Sequence, residues 1–224
     1  MDWFGPVDVY CERHAQGFGG EPLNMLTGLA FLGVGLMALR RAPTGADRSL
    51  ALALALVGVA SAVQHGFALV VTVWADLAAN ISYLVLLGSL MLRRLGGISA
   101  PAAGLAAGAT VLALNTAPVG PALRAVSPVL ADVFFLLLLI LAGLALALRR
   151  AEPETSRGLA VSALLLAIGL PFRLLDGALC PVWPIGTHWV WHLLNAASAA
   201  MLLAALARLA VLPSAKLAKG GAGR

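Results

Sequence analysis

The sequence predicts an all-α, polytopic membrane protein of seven transmembrane helices, with the N-terminus outside and the C-terminus inside. Three observations carry this. Hydrophobic residues make up 61% of the chain and charged residues 11%, against about 25% charged in an ordinary soluble domain. The apolar residues form continuous blocks such as LALALALVGVASAV, where a transmembrane barrel would alternate polar and apolar positions. The basic residues gather in short clusters between blocks, on one side of an alternating topology.

Seven apolar blocks follow one another: 22–39, 49–67, 71–92, 101–117, 128–148, 158–175 and 188–212. Each approaches the ~20 residues that cross a bilayer core as a helix. Arg40, Arg41 and Arg48 separate the first two blocks, Arg93 and Arg94 follow the third, and Arg149, Arg150 and Arg157 separate the fifth and sixth. Arg208, Lys216, Lys219 and Arg224 close the chain, and the other side keeps Arg13, Arg124 and Arg173. Basic loops stay inside, so the N-terminus faces out. Residues 1–21 are then an extracytoplasmic segment, 22–212 the seven-helix domain and 213–224 a cytoplasmic tail. The start of the chain lacks a basic stretch followed by an apolar core, so the first span is expected to direct targeting. The arginine-, alanine- and leucine-rich composition reads as a bacterial inner-membrane protein. The net charge of +5 belongs to loop arginines, so no nucleic-acid partner is expected; the partner is the lipid bilayer.

Cys11 and Cys180 both fall on the outer side, where disulfides persist. A single pairing exists, and a disulfide is expected in preference to two unpaired thiols.

Chemistry concentrates at the same level. His188 and His192, in GTHWVWHLLNA, are spaced i, i+4 and share one face of the last helix, a spacing by which one helix offers two imidazoles to one metal. By themselves they would read as interfacial residues of a tryptophan belt with Trp183, Trp189 and Trp191. His65, however, ends the second block one turn after Ser61, and the arginine-derived topology sets it at the depth of His188. Three neutral imidazoles with an open position make a catalytic zinc site. Asp76, at the start of the third block, lies at that level too, as a general base or as an exposed loop carboxylate. Asp132 is a second candidate carboxylate, Asp176 is expected to pair with Arg173, and Asn24, Thr27 and Asn195 read as hydrogen bonds between helices. HExxH, GxSxG, Walker A and GxGxxG motifs are all missing, which disfavours a zincin protease or a nucleotide-driven machine.

In order along the chain, YCER…EPLN, S-x3-H, an aspartate eleven residues later, D-x3-C and H-x3-H resemble the alkaline ceramidase family, zinc-dependent seven-helix hydrolases related to progestin and adiponectin receptors. The resemblance covers most of the chain. It implies zinc held by His65, His188 and His192, catalysis by Ser61 and Asp76, a Cys11–Cys180 disulfide, and an N-acyl lipid substrate resembling ceramide. It also implies a calcium site before the first span. Glu12 and Glu21 match that site in kind, while Val9 stands where an acidic ligand belongs and His14 where an amide does; Asp8 is the nearest substitute. Two other readings compete with the hydrolase. One is a non-catalytic receptor or binding protein that keeps zinc for structure. The other is a haem protein, which His188 and His192 on one face serve poorly because they cannot flank one iron.

Overall fold

A computed structural model of the chain describes residues 2–15, 17–115 and 132–211. Among these residues the secondary structure is helical apart from one isolated bridge, Pro6 to Leu69. The helices are α1 (Pro22–Arg41), α2 (Gly45–Phe67), α3 (Val70–Gly96), α4 (Ala100–Asn115), α5 (Val133–Leu148), α6 (Pro153–Leu174), the single turn α7 (Asp176–Leu179) and α8 (His188–Val211). Five of them, α1, α2, α3, α6 and α8, are long and apolar enough to cross a membrane; α4 and α5 are shorter apolar helices. The expected end of the fourth span and start of the fifth, the position of Arg124 and the tail from 213 onward lie outside the described residues.

Two helices start well before the expected boundaries, each because polar residues enter the helix early. α2 begins at Gly45, before Ser49, because the Thr44 hydroxyl accepts the Asp47 amide at 3.3 Å and caps the helix. α6 begins with Pro153 in its first turn, where a missing N–H costs nothing. Its polar first turn still packs inward, since the Ser156 hydroxyl donates to the Ala145 carbonyl of α5 at 2.7 Å.

The helices pack in a row of neighbours: α4 on α3, α3 on α2, α2 on α1, α1 on α8, α8 on α6 and α6 on α5. Leu50 and Leu54 of α2, Leu166 of α6, and Leu202 and Leu206 of α8 form the centre of the buried core. The α1–α2 contact is close because Gly58 has no side chain: a Cβ there would stand 2.2 Å from the Leu32 backbone nitrogen. Large apolar side chains such as Leu29, Leu36, Leu56, Leu105 and Leu164 remain exposed on the outer faces. Such a surface is costly in water and matches acyl chains, as a multi-pass membrane protein requires.

Helix direction sorts the polar residues to two ends. At one end Arg94, at the close of α3, reaches both carboxylate oxygens of Asp47 at 2.8 and 2.7 Å and the Leu206 carbonyl of α8 at 2.7 Å. One guanidinium thereby joins three helices. Arg94→Met would leave Asp47 nearly buried without its counter-charge, a loss of roughly 3 kcal/mol. A clearly lowered thermal unfolding midpoint of the detergent-solubilised variant is the expected result; an unchanged midpoint would reduce this contact to a surface pair.

Candidate metal centre

At the other end the N-terminal segment crosses the α2–α3 turn, with the Val7 amide on the Ala68 carbonyl at 2.8 Å and the Val71 amide on the Trp3 carbonyl at 2.9 Å. Cys11 and Cys180 stand at disulfide distance, with Cα atoms 5.2 Å apart. Asp176 is the hub beside them. One carboxylate oxygen accepts the amides of Thr187 and His188 at 2.6 and 3.0 Å, and the other accepts the Cys11 amide at 3.1 Å. The carboxylate thus satisfies free N–H groups at the start of α8 and complements its dipole. Asp176 therefore does not take the role expected beside Arg173. Arg173 instead pairs with Asp132 and lies over the rings of Phe134 and Trp191, 5.7 Å from each centroid.

This scaffold brings the three histidines together. His65 ends α2, His188 and His192 occupy the first turns of α8, and their exposures are 2%, 5% and 4%. Their ligand atoms all lie within 4.8 Å of one another. The ring centroids are 5.4 Å apart for His65 and His188, 4.9 Å for His65 and His192, and 4.6 Å for His188 and His192.

Hydrogen bonding defines which nitrogen is free. His65 Nδ1 sits 2.6 Å from Glu21 Oε2. A carboxylate accepts, so Nδ1 carries the hydrogen and the Nε2 lone pair is left for a metal. The Thr27 hydroxyl donates to the Leu23 carbonyl at 2.6 Å and therefore accepts from His192 Nδ1 at 3.1 Å, with the same consequence. His188 Nδ1 is buried and has no hydrogen-bond partner among the described residues. Three buried imidazoles, two with their second nitrogen tied to an acceptor, form a donor set that can hold a divalent metal ion.

A cavity of about 260 Å³ opens beside the histidines and is lined also by Ser61, Asp76 and Asn80. Asp76 is half-buried at the start of α3 and accepts the Asn80 side-chain amide at 3.2 Å, one turn along the helix. Ser61 is buried one turn before His65 on α2. The five residues named from the sequence as ligands and catalytic partners therefore share one cavity.

Glu12 and Glu21, named for calcium, have their oxygens engaged by the chain itself. Glu12 accepts the Leu23 and Asn24 amides at 2.5 and 2.8 Å and caps α1. Glu21 divides between Arg13, at 2.7 Å, and His65. Burial pushes the Glu21 carboxyl up, but the hydrogen bond from His65, followed by the hydrogen bond and charge of Arg13, holds it below its ordinary range. Thr27 does bond between helices as expected, to His192 at 3.1 Å, whereas the Asn24 side-chain amide donates locally to Glu21, three residues earlier, at 3.3 Å.

Three residues of the site escaped the sequence reading. Tyr10 lays its ring 4.1 Å from that of His188 and 4.9 Å from that of His65, centroid to centroid. Burial pushes its hydroxyl up to about 12, so the ring stays neutral. Asn80 could have been found from its i, i+4 spacing to Asp76. Arg173 reaches the cavity wall through a helix phase that loop proximity conceals. Compared with protein-family models and with curated proteins, the chain matches none.

Proposed function

We propose that this protein is a zinc-dependent hydrolase of a membrane N-acyl lipid, cleaving a ceramide-like amide to a fatty acid and a long-chain amine, as the resemblance to alkaline ceramidases implies. The observation that carries the reading is the shared cavity, in which a half-buried carboxylate and a buried hydroxyl stand beside three converging imidazoles. His65, His188 and His192 would hold the metal. Bound there, zinc supplies a Lewis acid that lowers the pKa of water to about 7.

The chain's own groups do the rest. Asp76 takes the proton of the attacking water and returns it to the nitrogen as the C–N bond breaks. Asn80 keeps that carboxylate oriented, and the Ser61 hydroxyl donates to the carbonyl oxygen as negative charge builds on it. Acyl chains have a place to lie. The site cavity shares Leu84 and Val133 with a second, apolar cavity of about 200 Å³ between α3, α4 and α5. With the basic clusters taken as cytoplasmic, the cavity sits toward the periplasmic side of a seven-span, N-out arrangement in a bacterial inner membrane.

Metal analysis of purified protein, followed by incubation with a panel of N-acyl lipids, tests the reading. One zinc per chain and released fatty acid are expected. Zinc with no product from any member of the panel would favour a non-catalytic receptor or binding protein.

A further inference from the structure

We infer that Arg13 and Glu21 form a buried clamp that positions His65 for metal binding; this rests on the three-histidine centre proposed above. Glu21 is 0% exposed. A carboxylate taken out of water is costly unless it is paired and hydrogen-bonded. Glu21 has both: Oε1 accepts Arg13 Nε at 2.7 Å and Oε2 accepts His65 Nδ1 at 2.6 Å. A guanidinium is permanently cationic. Arg13 therefore balances the carboxylate by itself, and the imidazole can serve as a neutral donor.

The chain gives this arrangement space and anchors. Arg13 Nη1 also donates to the Ala15 carbonyl at 3.2 Å. Gly20 is compatible with both groups because it lacks a side chain: a Cβ there would stand 2.5 Å from the Ala15 oxygen and 2.9 Å from Arg13 Nη1. The two residues before Arg13 are held independently, Cys11 beside Cys180 and Glu12 on the α1 amides. The other two histidines lack such a partner. His192 has a hydroxyl, and His188 Nδ1 has no hydrogen-bond partner among the described residues. The second residue behind a metal-bound histidine sets its tautomer and basicity, and its loss typically costs about 10–100-fold in metal affinity. Arg13 and Glu21 are thus positioning residues that act through His65.

The test is the zinc dissociation constant of metal-stripped, detergent-solubilised full-length protein, measured by competition with a chelator of known affinity. The variants are Glu21→Gln, Arg13→Met, Arg13→Lys and the Glu21→Gln/Arg13→Met double. Glu21→Gln is expected to bind zinc about 10–100-fold more weakly. Arg13→Met should weaken binding in the same direction, and Arg13→Lys should recover part of the loss. The double variant should bind no more weakly than Glu21→Gln, because Arg13 acts through Glu21 and the two losses cannot add. A wild-type constant in Glu21→Gln, or fully additive losses, would overturn the clamp. If Glu21→Gln does not fold, the arginine pair decides: equal constants for wild type, Arg13→Met and Arg13→Lys overturn it. A wild-type protein that takes up no zinc overturns the metal reading itself, separately from the clamp.

Discussion

Asp76→Asn is expected to lower amide hydrolysis by about 10²–10⁴-fold, the range a positioned general base contributes, while the protein keeps its zinc. Asparagine has the shape of aspartate and can still bond to Asn80 through its side-chain oxygen, so the start of α3 loses little. It cannot take a proton. Asp76 also stands outside the group of ligand atoms that lie within 4.8 Å of one another, so metal content should be independent of the substitution. The two readouts therefore separate. Zinc retained and turnover lost supports Asp76 as the base; turnover at the wild-type rate on a true substrate would remove it from that role. Loss of zinc together with turnover would instead make Asp76 part of the metal site.

Much of this centre is legible in the sequence because membrane topology is a strong constraint. Once arginine clusters orient the spans, the end of the second and the starts of the third and seventh must lie at one level, and His65, Asp76 and His188 occupy those positions. The i, i+4 spacing then adds Ser61 and His192 by helix geometry alone. What stays hidden depends on contacts between segments remote in sequence. The resemblance assigns Glu21 to a calcium site; its approach to His65 depends on how α1 packs on α2, close at Gly58 and at Gly28, where a Cβ would stand 2.8 Å from Ser61 Oγ. Tyr10 reaches the histidines because its neighbour Cys11 is held beside Cys180, and nothing in its local sequence indicates an aromatic wall.

Arg173 and Asp176 illustrate the limit in another way. Three residues apart, they look like a natural ion pair. α6 ends at Leu174, however, and the chain turns, so Asp176 faces the free amides at the start of α8 while Arg173 stays on the helix and meets Asp132. The competing demand was the unsatisfied helix terminus, which the carboxylate answers with two backbone hydrogen bonds while its other oxygen accepts the Cys11 amide. A single ion pair, half exposed, would contribute less.

His188→Ala carries the other large effect: zinc per chain should fall from one to near zero after dialysis, with loss of hydrolysis. Among the three histidines His188 gives the cleanest test. Replacing His65 takes a partner from the buried Glu21 carboxylate, and replacing His192 frees a threonine hydroxyl. His188 Nδ1, by contrast, has no hydrogen bond to lose among the described residues. The contact its backbone makes survives, because alanine keeps the amide that Asp176 accepts, and alanine favours the helix. Metal-free wild type and metal-free variant should therefore differ only by the lost packing of the ring against Tyr10. They should part when zinc is added. At a free zinc concentration about 100 times its dissociation constant, wild type gains about 2.7 kcal/mol of stability by mass action, and the variant should gain little. If zinc raised the unfolding midpoint of both proteins equally, His188 would not be a ligand, and two imidazoles on separate helices would have to account for the metal.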